Sequence, residues 1–508
     1  MIDNWIEVEL KDVADYINGR AFKPTEWEEK GIPIIRIQNL NNPQAKFNYT
    51  TKKFEKKYLV KNKDLLFAWS ASLGAYIWNG DNAWLNQHIF KVNCKPFIEK
   101  YFLYYFLDKI TKELYSKTHG SGMVHVTKSK FVSTLIPLPP LPEQRAIVAR
   151  IEKLFSRLDK GVETLLKVKD QLKVYRQAVL KWAFEGKLTA EWRAFQQAQG
   201  ALPSAEELLE QIKAERERQY QNKLVEWQKA VKEWEANGKK DKKPIRPKKP
   251  RELPLLTEEE LAELPKLPER WVWIRLGEIT LGVEYGTSLK SQKNGKVPVL
   301  RMGNIKNFRF DWDDLVFTNN DDEINKCLLK KGDVLFNRTN SPELVGKTAV
   351  FKEERKAIFA GYLIRINQIQ SLIDSDYLNY YLNSIFARNY GNKVKTDGVN
   401  QSNINGNKLI HYPLPFCNLL EQQAIVQKIE IRLSVADKLE QIIDETLQKA
   451  EALRQSILKK AFEGKLLSEA ERETLKNDPQ WEPAEKLLER IKAEKEKQEM
   501  KNNKKKRK

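Results

Sequence analysis

Cysteine, histidine and long apolar runs are all scarce in this chain. The three cysteines, Cys94, Cys327 and Cys417, lie too far apart for a disulfide framework or the paired spacing of a zinc site, which fits a reducing, cytoplasmic compartment. The four histidines, His88, His119, His125 and His411, include no pair four residues apart that could hold a metal on one helix face. No segment approaches the roughly 20 apolar residues needed to span a bilayer. The start, Met1-Ile2-Asp3-Asn4-Trp5, lacks the basic and then apolar pattern of a secretory signal. Secretion and membrane insertion are both disfavoured.

Catalytic signatures are missing as well. The run Ser341-Pro342-Glu343-Leu344-Val345-Gly346-Lys347-Thr348 resembles a phosphate-binding loop, but Ser341 stands where the first glycine must let the backbone wrap the phosphates. The lone Pro-Pro, Pro139-Pro140, lies between leucines, so the amino-methylase signature of Asn or Asp, two prolines and an aromatic is absent. No glycine-rich dinucleotide loop follows a strand. Triplets such as Glu28-Glu29-Lys30 are expected by chance in so charged a chain and do not make a nuclease site. These absences argue against an enzyme.

Charge is abundant: 89 Lys and Arg against 69 Asp and Glu, a net +20 over 508 residues. That balance favours an anionic partner, nucleic acid or a membrane surface. Much of it is local, since 238–251 holds eight basic residues and one acidic, and 501–508 holds six basic and none acidic. The length suggests two to four domains.

An internal repeat organises the chain. Glu143-Gln144-Arg145-Ala146-Ile147-Val148 recurs as Glu421-Gln422-Gln423-Ala424-Ile425-Val426, and Ala183-Phe184-Glu185-Gly186-Lys187-Leu188 as Ala461-Phe462-Glu463-Gly464-Lys465-Leu466. Aligned without a gap, 143–188 and 421–466 share 20 of 46 positions, and a second block matches Ala205–Gln219 with Ala484–Gln498. Ile147, Ile151, Leu154, Leu158, Val162, Leu165, Leu172, Tyr175, Val179 and Ala183 keep one helical stripe. Ile425, Ile429, Leu433, Ala436, Ile443, Leu447, Ala450, Leu453, Ile457 and Ala461 keep the matching one. Glu143 and Glu421 suit a helix N-terminus, and Gly186 and Gly464 a left-handed C-terminal cap. Each helix is about 65 Å long at 1.5 Å per residue. The cheapest burial for the two stripes is against each other, as an antiparallel coiled coil; the alternative is that each helix packs only on its own globular unit.

Before each helix lies a unit with mixed strand and helix signals. Val8 and Leu10, Ile32 to Ile37, Asp64 to Phe67 and Ile89 to Val92 read as strands, and Tyr101 to Lys117 as a helix. Similar landmarks recur at Val297 to Arg301, Gly332 to Phe336, Leu363 to Ile366 and Tyr377 to Ser384. Two diverged units on a closely repeated scaffold suit the gripping of an extended ligand at two points, each unit reading a different short sequence.

The start Leu138-Pro139-Pro140-Leu141-Pro142-Glu143-Gln144, its weaker form at 414–422 and the two Ala-Phe-Glu-Gly-Lys-Leu endings resemble the conserved regions of the DNA-specificity subunit of type I restriction-modification systems. The second copy departs from the pattern with Phe416-Cys417-Asn418-Leu419-Leu420 in place of a compact proline run. The resemblance implies an α/β (α+β) fold with a pseudo-two-fold repeat, two mixed target-recognition domains joined by two long antiparallel helices. In those terms 1–142 and 271–420 are recognition domains, 143–188 and 421–466 spacer helices, 189–270 a charged helix and Lys/Pro-rich linker, and 467–508 a charged helix and a disordered basic tail. It further implies double-stranded DNA as ligand and no cofactor on this chain. Two modification subunits would bring S-adenosylmethionine and methylate a flipped-out adenine, and restriction subunits would bring ATP and magnesium.

For base contacts, polar residues in loops after strands are expected to reach the major groove. In the first unit these are Arg36, Gln38, Asn39, Trp69, Ser70, Ser72, His125, Thr127 and Lys128. In the second they are Arg301, Asn304, Asn337, Arg338, Thr339, Asn340, Lys347, Asn400, Gln401, Ser402 and Asn403. Arg338 and Gln401 lead the set; Arg36 and Arg301 recur at matching positions, which a shared structural role would also explain. Rival readings are a stand-alone DNA-binding regulator, separable by co-purification with modification subunits, an enzyme using Lys347, and a structural coiled-coil adaptor, which would leave the two globular units unexplained.

Overall fold

In the computed structural model, which describes residues 4–42, 44–70, 72–117, 127–200, 202–239, 243–247, 249 and 252–506, the chain forms two compact units. One comprises Met1–Lys167 with Ile443–Lys508, the other Val168–Ile442. Each therefore holds one globular module, the beginning of one long helix and the end of the other.

The first unit closes on itself where Ile6–Glu9 pairs antiparallel with Leu135–Leu138, the strand that leads into the long helix Leu141–Phe184. The first strand stops at Glu9, and Leu10 starts a helical turn instead of extending it, because the Asp12 carboxylate accepts the Glu9 N–H at 3.2 Å. A four-stranded antiparallel sheet follows in the order Ala14–Asn18, Ile89–Cys94, Leu65–Ala68, Gly74–Ile77. A second sheet, ordered Asn48–Thr50, Ile32–Ile35, Ala83–Leu85, Leu59–Val60, has one parallel pair at its centre. The helix Lys100–Lys117 lays Phe102 and Phe106 onto the core.

The second unit repeats this plan. Val272–Arg275 pairs with Pro413–Phe416, and Thr280–Tyr285, Leu363–Gln368, Val334–Asn337 and Thr348–Val350 form the four-stranded sheet. Val316–Thr318, Val297–Leu300 and Ile358–Phe359 form the smaller one, again with one parallel pair. The Ser375–Leu382 helix occupies the place of Lys100–Lys117.

The repeated residues are the ones that knit each unit to its helices. In the second unit Glu421 is buried at the start of the long helix Leu419–Phe462 and accepts three bonds, from Trp271 Nε1 at 2.9 Å, Arg193 Nε at 2.8 Å and Thr189 Oγ1 at 2.9 Å. In the first unit Glu143 takes the same position, in an ion pair with Arg472 Nε at 3.2 Å. The adjoining glutamines close the turn before the helix: Gln144 Nε2 donates to Phe97 O and Pro139 O at 3.0 and 2.8 Å, and Gln422 Nε2 to Leu372 O and Cys417 O at 3.0 and 2.8 Å. At the other end, Gly186 and Gly464 take positive φ of 70° and 66°. The following N–H groups, of Lys187 and Lys465, reach back to Trp182 O and Lys460 O, as a left-handed cap requires.

Both long helices run 44 residues, Leu141–Phe184 and Leu419–Phe462, and pair antiparallel. Arg176 bridges to Asp437 and Glu440 across this pairing in the second unit, and Arg454 to Asp159 in the first. The expected stripes are buried or half-buried except at Tyr175 and Leu453, which face solvent; Arg176 takes the buried place beside Tyr175. The helix ends plug the modules. Phe462 meets Phe102 and Phe106 edge-on at 5.1 and 5.2 Å, and Phe184 meets Tyr377 and Tyr381 at 5.3 and 5.1 Å.

The segments read from sequence as charged helices carry apolar residues into the two cores. Leu208 and Ile212 of Ala205–Ala236 lie in the second unit's core, and the matching Leu487 and Ile491 of Ala484–Lys506 in the first unit's. Helix extends through Lys506, so the tail expected to be disordered is helical over that stretch.

Candidate nucleic-acid interface

Two of the candidate groups turn out to be scaffold. Asn39 is buried, accepts the Arg36 N–H at 3.1 Å and donates to Ala45 O and Lys46 O. Asn304 is buried in the same turn, accepting the Arg301 N–H at 2.9 Å and donating to Asp311 O and Asp314 O. Arg301 is held by the Asp314 carboxylate at 2.9 Å, and Arg36 lies over the Trp27 ring at 5.4 Å. The recurrence of Arg-x-x-Asn thus reflects a turn that both modules need, and Gln38 stands exposed there. Asn337 is likewise turned inward, donating to Leu344 O at 3.3 Å, and Ser70 is buried.

The second unit brings most of its remaining candidates onto one three-stranded ladder. Thr339–Asn340 pairs with Ser402–Asn403, which pairs with Thr396–Asp397. Asn403 Nδ2 donates to Thr339 Oγ1 at 2.7 Å, Ser402 Oγ is bound by the Asp397 carboxylate, Asn340 Oδ1 accepts the Ser341 N–H, and Asn400 and Gln401 stand exposed at the hairpin. Arg338 opens the ladder. Its N–H donates to Tyr362 O at 3.0 Å, its Nη1 to Gly361 O at 3.3 Å, and its guanidinium lies 4.9 Å over the Tyr285 ring. Tyr285 in turn accepts the Gly406 N–H at 2.8 Å. Three neighbouring strands therefore end in Tyr285, Arg338 and Tyr362, all with exposed surface.

The first unit has the same pattern of backbone hydrogen bonds with different side chains. Trp69 N–H donates to His88 O at 3.1 Å, and its Nε1 to Asn18 Oδ1 at 3.1 Å; its ring meets that of His88 at 5.1 Å. The backbone equivalence continues outward: Arg20 N–H to Leu85 O and Thr287 N–H to Phe359 O are both 2.9 Å. Asn18, Trp69 and His88 thus stand where Tyr285, Arg338 and Tyr362 stand in the second unit. Lys128 joins this end, its Nζ donating to Tyr16 O at 3.0 Å, while Thr127 caps the short helix Lys128–Val132 and Ser72 donates its N–H to Ser70 O. His125 lies outside the described residues.

Sequence reasoning missed Asn18, His88, Tyr285 and Tyr362. His88 precedes Ile89–Cys94 just as Tyr362 precedes Leu363–Gln368, so aligning the strands of the two modules would have paired them. Lys347 is half-buried, its ammonium pushed below the ordinary lysine range by burial and by Arg388. Thr348–Val350 after it is a strand, so no helix N-terminus stands behind this loop to cradle a phosphate.

The comparisons agree with this architecture. The family described as "Type I restriction modification DNA specificity domain" matches residues 2–168 and 268–449. The specificity subunit of the type I restriction enzyme EcoKI from Escherichia coli strain K12 is 25% identical, with 97% of this chain and 96% of that one aligned. The EcoBI specificity subunit from Escherichia coli is 24% identical over 97% and 92%. A solved chain from work on complex assembly and conformational transition of the type I R-M system shares the fold, with a TM-score of 0.61, 18% identity and coverage of 91% and 98%. With one match on each module, the chain belongs to the family of type I restriction-modification DNA specificity domains.

Proposed function

We propose that this chain works as the specificity subunit of a type I restriction-modification enzyme and reads a bipartite, asymmetric DNA sequence, one half with each module. The observation that carries this reading is the pair of strand-end triads. Matching backbone hydrogen bonds present Asn18, Trp69 and His88 in one module and Tyr285, Arg338 and Tyr362 in the other. A shared frame with different side chains is what two modules need if they read different bases. Arg338 suits a bidentate contact to guanine and Asn18 one to adenine; Gln401, Asn400, Thr339, Asn340 and Lys128 flank these positions.

In this reading the chain is a non-catalytic DNA-recognition component. Two modification subunits that dock on it carry S-adenosylmethionine and the adenine methyltransferase chemistry, and restriction subunits carry ATP and magnesium. The complex works in the cytoplasm; among the described residues no helix is long and apolar enough to cross a membrane.

Mapping methylated adenines in cells that carry the system tests the reading. Wild type should give one bipartite motif with an unread gap. Arg338→Ala should relax one half of it and cost about 1–3 kcal/mol in binding, and Trp69→Ala should relax the other half only. An unchanged motif in both variants would remove the triads as readers.

A further inference from the structure

The helix Ala205–Ala236 and the described residues of the Lys/Pro-rich segment after it, 238–239, 243–247 and 249, pack together. Gly238 and Lys239 take positive φ of 73° and 61°, and Lys239 N–H returns to Trp234 O at 3.0 Å, so the chain reverses there. The described residues 243–246 lie back along the helix. Lys239 and Lys243 lie 5.7 and 5.9 Å over the Trp234 ring, Arg246 lies 5.8 Å over Trp227, and Trp227 Nε1 donates to Pro244 O at 3.0 Å. Two tryptophans seven residues apart share a helix face and form the bed for this arm.

The direction of the helix is set by its partners. Glu215 accepts Ser371 Oγ at 2.7 Å, and Arg216, Tyr220 and Lys223 line a cleft with Gly277, Thr280, Leu281 and Gly282. The helix therefore advances alongside Thr280–Tyr285 toward Tyr285, the strand end that carries Arg338. From Lys223 to Ala236 it continues for about 20 Å at 1.5 Å per residue. On that stretch and its arm Lys229, Lys232, Lys239, Lys243, Arg246 and Lys249 are exposed, against Glu226, Glu233 and Glu235.

We propose that this helix and its docked arm form a basic edge that grips the phosphate backbone of the DNA held at the Tyr285–Arg338 end of the second module. The inference rests on the recognition reading above and adds a sequence-blind contact to it. Cation–π docking holds the lysines over the rings while leaving their ammonium groups in water, where phosphate can reach them.

The test is a salt titration of DNA binding by the full chain assembled with its modification subunits, on a duplex carrying the mapped methylation site and on a scrambled duplex of equal length. The triple variant Lys239→Gln/Lys243→Gln/Arg246→Gln should bind both duplexes on the order of tenfold more weakly and lose about two to three from the log–log salt slope, with the methylated motif unaltered. An unaltered slope on both duplexes overturns the proposal. Trp234→Ala, which keeps every charge but removes the ring beneath Lys239 and Lys243, should weaken binding by a few fold; wild-type affinity would overturn the docked geometry. If wild type shows no preference for the site duplex, the recognition reading fails, and the slope on the scrambled duplex still judges the arm.

Discussion

Glu143 and Glu421 show how one residue type serves two demands. Each sits at the start of a long helix, where a negative charge suits the dipole, yet each is also buried and must be paired. Removing one partner of a buried pair costs about 3–5 kcal/mol because the other charge is left without compensation. Glu421→Gln, facing Arg193, should therefore lower the denaturant midpoint of the second unit by a corresponding amount, measured by urea unfolding. In the first unit, burial raises the Glu143 carboxyl above its ordinary 4.5, against the pull of Trp5 and Arg472. A raised folded value means that the folded state holds the proton more tightly. Its contribution to stability is then full below 4.5 and declines as pH rises through the folded value. Glu143→Gln should flatten that decline in a series of melts from pH 4 upward; a decline of wild-type size in the variant would assign it elsewhere.

Each long helix ends in Ala-Phe-Glu-Gly-Lys-Leu because that end plugs a core and then turns. Phe462 fills the space between Phe102 and Phe106, and Phe184 the space beside Tyr377 and Tyr381. Truncating either ring leaves a cavity worth about 3–5 kcal/mol. Phe462→Ala should destabilise the first unit and Phe184→Ala the second, read as separate shifts in hydrogen-exchange protection of the two modules. The middle of the pair behaves differently. Leu154, Leu158, Val162 and Leu165 are only half-buried, as expected where two helices alone share a seam.

Across the whole molecule, chain order and structural order differ. The block that follows each long helix is used by the module that the helix reaches, so Arg193, Leu208 and Ile212 serve the second unit, and Arg472, Leu487 and Ile491 the first. Cutting the chain after Leu467 would strip Glu143 of Arg472 and uncover the core at Leu487 and Ile491. Such a chain, assembled with its modification subunits, should lose discrimination at the half-site read by the first module and keep it at the other. Equal loss at both half-sites would show that the block does more than complete one unit.

The amino-acid sequence by itself determined the repeat, the two long helices, their caps and the main strands, because helical period, strand alternation and cap chemistry are local and each residue carries its share of them. It also carried the family resemblance, since the repeated motifs are the residues that knit modules to helices. Only the tertiary structure decided which polar residues face outward. Asn39, Asn304 and Asn337 look as suited to DNA as Asn400 or Gln401 in the sequence, but they are consumed by backbone groups that packing would otherwise leave unpaired. Arg338 and Asn403 share a ladder, and Asn18, Trp69 and His88 an edge, although long stretches of chain separate them. Such meetings are set by which distant segments pair in a sheet, and the hydrophobic pattern that fixes a strand's register does not name its partner.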